Sequence, residues 1–176
     1  TISNYSIAYE TYGKLSEKKD NAILAFHALS GDQFVSGNNP ITNKSGWWSC
    51  LVGPNKAVDT NKFFVICANV IGGCMGSYGP NSVDTKTNKK LGTNFPVITI
   101  NDMVNAQYHL LEFFKIKKLF SIVGGSMGGM QVLQFVSNFP DKSQTAIPIA
   151  CTASHSAQNI ALNELGRQSI MADHNW

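Results

Sequence analysis

Charge is scarce in this chain: 14% of its residues are Asp, Glu, Lys or Arg, and the net charge at neutral pH is only +3. So mild an excess excludes a chain built to grip nucleic acid, and the lysine pairs Lys89-Lys90 and Lys117-Lys118 read as solvated faces. Long apolar runs are missing too. No uninterrupted stretch approaches the roughly 18 residues that a membrane helix needs, and no signal peptide opens the chain, so a cytoplasmic protein without a membrane partner is expected. The four cysteines (Cys50, Cys67, Cys74 and Cys151) lack any C-x-x-C spacing. That argues against a zinc framework; they are expected to be reduced thiols in or near the core, with no metal site.

What is present suits one domain. The chain has 176 residues, 43% of them hydrophobic, enough to bury a real core. Residues 4–12, "NYSIAYETY", alternate as a strand does, and Gly13 ends it. "AILAFHA" (22–28) and "FFVICANV" (63–70) are continuous apolar runs, the pattern of strands buried on both faces. Each is followed by a glycine-rich polar loop. "NDMVNAQYHLLEFFKI" (101–116) carries helical periodicity, with Asn101 or Asp102 as the expected N-cap. "LFSIVGG" (119–125) predicts a further strand, 127–138 a helix stopped by Pro140, 145–151 another buried strand, and 156–172 a third helix. Strands alternating with helices from residue 63 onward predict an α/β fold, a mostly parallel sheet with helices on both faces.

One stretch carries chemistry. In "VGGSMGGMQ" (123–131), Gly124-Gly125-Ser126-Met127-Gly128 fits G-x-S-x-G where a strand gives way to a helix, the setting of a nucleophile elbow. So sharp a reversal forces the serine into a strained conformation and brings the positions two before and two after it together, where a β-carbon would clash. Gly129 would let the helix lie close to its neighbour. Ser126 Oγ then stands above the sheet, and the Met127 backbone N–H, at a helix N-terminus, points at any oxyanion formed there. The competing reading is a glycine-rich turn that only packs. No Lys-Ser/Thr follows the glycines, which excludes a P-loop, and the Rossmann spacing fits poorly. A second oxyanion donor belongs on the loop after an earlier strand, and in "FHALSGDQ" (26–33) the Leu29 N–H is the candidate. His27 precedes the serine, so it is read as a prop for that loop rather than as the base. Downstream of Ser126 stand only His155 and His174, with the acids Asp141, Glu164 and Asp173. None is placed to serve as base or orienting acid, so a fragment is expected, truncated before the last strands.

Beyond single residues, "AYETYGKL", "NAILAFHALSGDQ", "NVIGGCMGSYGPNS", "FPVITINDMVNAQ", "VGGSMGGMQ" and "ALNELGRQSIMADHNW" occur in the order of the homoserine O-acetyltransferase family's motifs. The chain resembles that family from Thr1 to Trp176. The resemblance implies an α/β-hydrolase core with a helical lid after the sixth strand, here a partial domain over 1–176 whose lid begins near residue 156. It also implies a homodimer with no bound cofactor, in which acetyl-CoA is the co-substrate and L-homoserine the acceptor, a step toward methionine. Ser126 matches the acyl-accepting serine, Leu29 and Met127 the oxyanion positions, and Arg167 in "NELGRQ" the arginine that holds the homoserine carboxylate. The family's catalytic aspartate and histidine lie beyond Trp176, as does most of the lid. Two departures stand out: Tyr78, where a threonine is common, and Asn101, where an arginine often precedes Asp-Met-Val.

Arg167 can also be weighed alone. It falls at the border of the apolar arc of its helix, beside Gly166, whose cost in a helix (about 1 kcal/mol against alanine) hints at a close approach. A carboxylate clamp and a stem covering apolar surface both fit. Other functions remain open on this fold: an esterase or thioesterase, a succinyl-CoA- or serine-using relative, or a non-catalytic binding protein.

Overall fold

Two five-residue apolar runs set the centre of the molecule. The computed structural model describes residues 2 and 5–175. In it β2 (Ala22–Phe26) and β5 (Phe64–Ala68) are buried along their whole length and pair in parallel. Around them lie β1 (Tyr9–Tyr12), β8 (Leu119–Gly125) and β9 (Ser143–Ile149) in a five-stranded sheet of order β1-β5-β2-β8-β9. Only β1 runs antiparallel, against β5. Two short ladders sit apart from it: β3 (Val52–Gly53) with β4 (Val58–Asp59), and β6 (Val83–Asp84) with β7 (Lys89–Lys90). Residue 4, where the first strand is expected to begin, lies outside the described residues; the strand itself starts at Tyr9.

Strand alternation divides the core in two. Ala22, Leu24 and Phe26 with Phe64 and Ile66 face α1 (Ile100–Phe114) and α2 (Met127–Asn138), which contribute Val104, Leu111, Val132 and Phe135. Ile23, Ala25, Val65 and Cys67 face the opposite way, onto Val35, Val52, Trp47 and Trp48. Helices were expected on both faces; among the described residues α1 and α2 share one face, and the irregular segment 33–63 covers the other. Trp47 does that work because its indole N–H finds the Asp32 carbonyl at 2.9 Å, so a loop can supply bulk with its polar group satisfied.

Three further expectations change. The N-cap of α1 is Thr99, two or three residues earlier than expected. Thr99 Oγ1 accepts from the Asp102 N–H while the Asp102 carboxylate accepts from the Thr99 N–H at 2.8 Å, a reciprocal capping box that makes Asp102 the third helical residue. Asn101 instead accepts a bond from Asn138 at 2.8 Å and ties the start of α1 to the end of α2. Strand β9 is not buried: it is exposed along most of its length and holds the sheet's edge, with β8 on one side. Of the cysteines only Cys67 is a core thiol; Cys50 and Cys74 are exposed and Cys151 half-buried. The last helix, α3 (Ala157–Met171), is N-capped by Ser156 and buries none of its residues.

Candidate active site

Ser126 sits at φ +56°, ψ −120°, a conformation that costs a non-glycine residue about 1–3 kcal/mol and persists only where surroundings impose it. The imposing contacts are visible. Its N–H donates to Ile149 O at 3.0 Å, at the end of β9, and its own carbonyl accepts from the Met130 N–H at 3.1 Å, opening α2. The side chain makes no capping bond and is exposed. Glycines make room for the reversal: a β-carbon on Gly124 would stand 2.5 Å from the Gly128 carbonyl carbon, one on Gly128 would overlap the Phe26 carbonyl, and one on Gly129 would come within 2.7 Å of Cys151 Sγ. Gly125 is different. Nothing lies within 4 Å of where its β-carbon would be, so this glycine is not required by packing.

Leu29 stands across from the elbow in a turn closed by Gly31 N–H donating to Ala28 O at 2.9 Å. That bond leaves the Leu29 N–H out of the turn, and its side chain is 83% exposed, unusual for a leucine and consistent with a residue placed for its backbone. Leu29, Ser126 and Met127 line one cleft of about 750 Å³. The Met127 N–H is among the first of α2, without an intrahelical acceptor and at the positive end of the helix dipole. The arrangement can therefore place a hydroxyl nucleophile beside two backbone donors. Arg167 is not brought to it. The guanidinium lies on exposed α3, bonded to Glu164 Oε2 at 2.7 Å, and nothing approaches within 4 Å of a β-carbon at Gly166, so the expected close approach is not seen.

A family model described as the alpha/beta hydrolase fold matches residues 21–171. The chain belongs to that family. Among curated proteins it is 77% identical over its full length to the homoserine O-acetyltransferase of Pelagibacter ubique (strain HTCC1062), covering 47% of that protein. Among solved structures it superposes on esterase E22 with a TM-score of 0.91 at 34% identity, over 99% of this chain and 50% of the other. A homoserine O-acetyltransferase from Bacillus anthracis gives 0.80 at 32% identity, over 86% of this chain and 42% of the other. The chain thus spans about half the length of the curated relatives it matches.

As an alpha/beta hydrolase the chain uses His27 for support, in the role its position suggests. The ring is 1% exposed. Val70 N–H donates to Nε2 at 3.1 Å, so Nε2 is the unprotonated nitrogen and Nδ1–H donates to Ala28 O at 2.7 Å. Burial pushes this imidazole below its ordinary pKa and keeps it neutral. It joins the end of β2 to the loop after β5 and shapes the turn that presents Leu29.

Other polar residues of the site escape a reading by motif. His155, just before the Ser156 N-cap, and Asn159 and Asn163 on α3 line the Ser126 cleft; the spacing of four puts the two asparagines on one face of the helix, a signal available in the sequence. Gln107 and Gln131 are wholly buried, and only an amide among the apolar inward positions of α2 hints at Gln131. Among the described residues, none that lines the cleft carries a fixed charge. Among the described residues no group of three or more His, Cys, Asp or Glu is gathered as a metal site, and no helix is long and apolar enough to cross a membrane.

Proposed function

We propose that this segment carries the nucleophile of an O-acyltransferase that moves an acetyl group from acetyl-CoA to the hydroxyl of L-homoserine. The observation that carries the reading is the 77% identity, over the whole chain, to a homoserine O-acetyltransferase; the strained, exposed Ser126 beside two backbone donors fits it. Ser126 Oγ attacks the thioester carbon as its proton passes to a general base. The carbonyl electron pair moves onto oxygen and is held by the Leu29 and Met127 N–H groups. Collapse of the tetrahedral intermediate breaks the C–S bond, CoA leaves as the thiol, and an acetyl-Ser126 ester remains. The homoserine hydroxyl then attacks that ester by the same route in reverse. In this reading the histidine base and its aspartate are supplied beyond Trp176, and Arg167 exchanges Glu164 for the homoserine carboxylate once a lid closes over the cleft. The whole enzyme is a cytoplasmic homodimer serving methionine formation.

A second reading is an esterase on the same scaffold, favoured by the TM-score of 0.91 to esterase E22. Water then replaces homoserine as the acceptor. Mass spectrometry of a full-length enzyme carrying this segment, after brief exposure to acetyl-CoA or succinyl-CoA, tests both. The transferase reading expects an acetyl adduct on the Ser126 peptide that homoserine discharges much faster than water does. An adduct discharged equally by water rejects transfer, a succinyl adduct alone rejects the donor, and no adduct on Ser126 rejects the nucleophile.

A further inference from the structure

We propose that Gln131 is a positioning residue that sets the distance between the two oxyanion donors. Leu29 and Met127 belong to different parts of the chain, one on the loop after β2 and the other on the first turn of α2. A useful oxyanion hole needs both N–H groups held at a fixed separation; the β2–β8 ladder and the close approach of Gly128 to Phe26 bring the two segments together, and a side-chain bridge between them fixes their separation more finely. The Gln131 side chain is fully buried and bridges them. Its amide nitrogen, with two hydrogens, lies 3.3 Å from His27 O and 3.4 Å from Met127 O. The first carbonyl opens the turn that presents Leu29; the second belongs to the residue whose N–H is the other donor.

The orientation of that amide is decided by chemistry. Gln107 Nε2, on α1, donates to Gln131 Oε1 at 2.7 Å, so the nitrogen end must face the two carbonyls; the opposite orientation would set an oxygen against both of them. Gln107 is itself fully buried, and its Oε1 has no partner among the described residues. A leucine pair would fill this space without burying an unpaired carbonyl, so packing alone does not account for two amides here. The His27 ring completes the scaffold by tying the same turn to Val70. The chain of bonds runs from α1 through Gln107 and Gln131 to both donor segments.

The inference rests on Ser126 as nucleophile and on Leu29 and Met127 as donors. The test uses a full-length enzyme carrying this segment, with p-nitrophenyl acetate as acyl donor and a trifluoromethyl ketone as probe. Ser126 Oγ bonds to the ketone carbon, the carbonyl pair becomes the oxyanion, and the hydroxyl proton goes to the enzyme's base, so the probe's Ki reports the oxyanion hole directly. Gln131→Leu and Gln131→Met, which keep size and lose the N–H groups, are expected to lower kcat about ten- to a hundredfold with KM little changed, as for a misplacement near 1 Å. Ki should weaken by the same factor, and Gln107→Leu should give a smaller loss in both. Should Gln131→Leu fail to fold, Gln131→Met and Gln107→Leu carry the same comparison. An unchanged Ki, with or without a lower melting temperature or titre of active sites, makes Gln131 a packing residue and overturns the proposal. A parent enzyme that forms no adduct on Ser126 overturns the nucleophile reading and this inference with it; a parent that forms one, alongside variants that match it, overturns this inference alone.

Discussion

Replacing Gly124 with alanine would drive a methyl group into the backbone of Gly128, because the new carbon would stand 2.5 Å from that residue's carbonyl carbon and 3.0 Å from its Cα. Ordinary carbon contacts lie at about 3.5–4.0 Å, so roughly 1 Å of movement is needed. Neither side can supply it cheaply: Gly128 is itself wedged against the Phe26 carbonyl, and Gly124 is held in the β8 ladder opposite Phe26 and Pro148. Overpacking costs about 1–3 kcal/mol, and a clash between two backbones belongs at the upper end. At about 3 kcal/mol the melting temperature should fall by about 6–12 °C for a cooperative unit of this size. The same displacement moves Ser126, so its acylation should slow about a hundredfold. Gly125→Ala is the internal control. It meets nothing within 4 Å, and Gly125 does not hold a positive φ. It should be neutral, or stabilising by up to about 1 kcal/mol through the unfolded state. Thermal melts and acylation rates of both variants in a full-length enzyme decide the matter. Equal losses from the two alanines, or a silent Gly124→Ala, would refute the steric account of the elbow.

Ser126→Ala should abolish acyl-adduct formation while CoA still binds, and initial-rate plots of the parent should be parallel; intersecting plots would exclude a covalent intermediate. Arg167→Lys should raise KM for homoserine at least tenfold (about 1.4 kcal/mol) because an ammonium cannot fork onto a carboxylate, while hydrolysis of a small ester stays unchanged; equal losses in both would make the arginine structural. Because burial lowers the His27 pKa, the unfolded chain takes up a proton first as pH falls below the ordinary value near 6.5. Stability is therefore full above that pH and declines below it, by up to about 1.4 kcal/mol per pH unit until the lowered folded value is reached. Denaturant midpoints between pH 8 and 5 should show this slope in the parent and lose it in a stable His27 replacement. Residues 1–176 alone should self-associate, since Ile147 and Ile149 are 48% and 39% exposed on edge strand β9; a monodisperse monomer in sedimentation would contradict this.

The local parts of the molecule were legible in the sequence because local physics sets them. Helix α2 runs over Met127–Asn138 as its periodicity and Pro140 indicate, and continuous apolar runs mark β2 and β5 as buried. The serine elbow announced itself through glycines whose need is steric and short-range: Gly124 and Gly128 are four residues apart, and their contact follows from the reversal at Ser126. Tertiary structure decided what depends on distant neighbours. That both packed helices share one face, with Trp47 and Trp48 on the other, follows from where the chain crosses, and composition does not encode that path. The exposure of β9 is of the same kind: "TAIPIAC" is apolar enough for a core strand, and only its place at the sheet edge shows otherwise. Gln131 is the clearest case. Its bonds to His27, 104 residues away, and to Gln107, 24 residues away, have no local signature, since an amide on a helix reads as a surface residue until the fold closes around it.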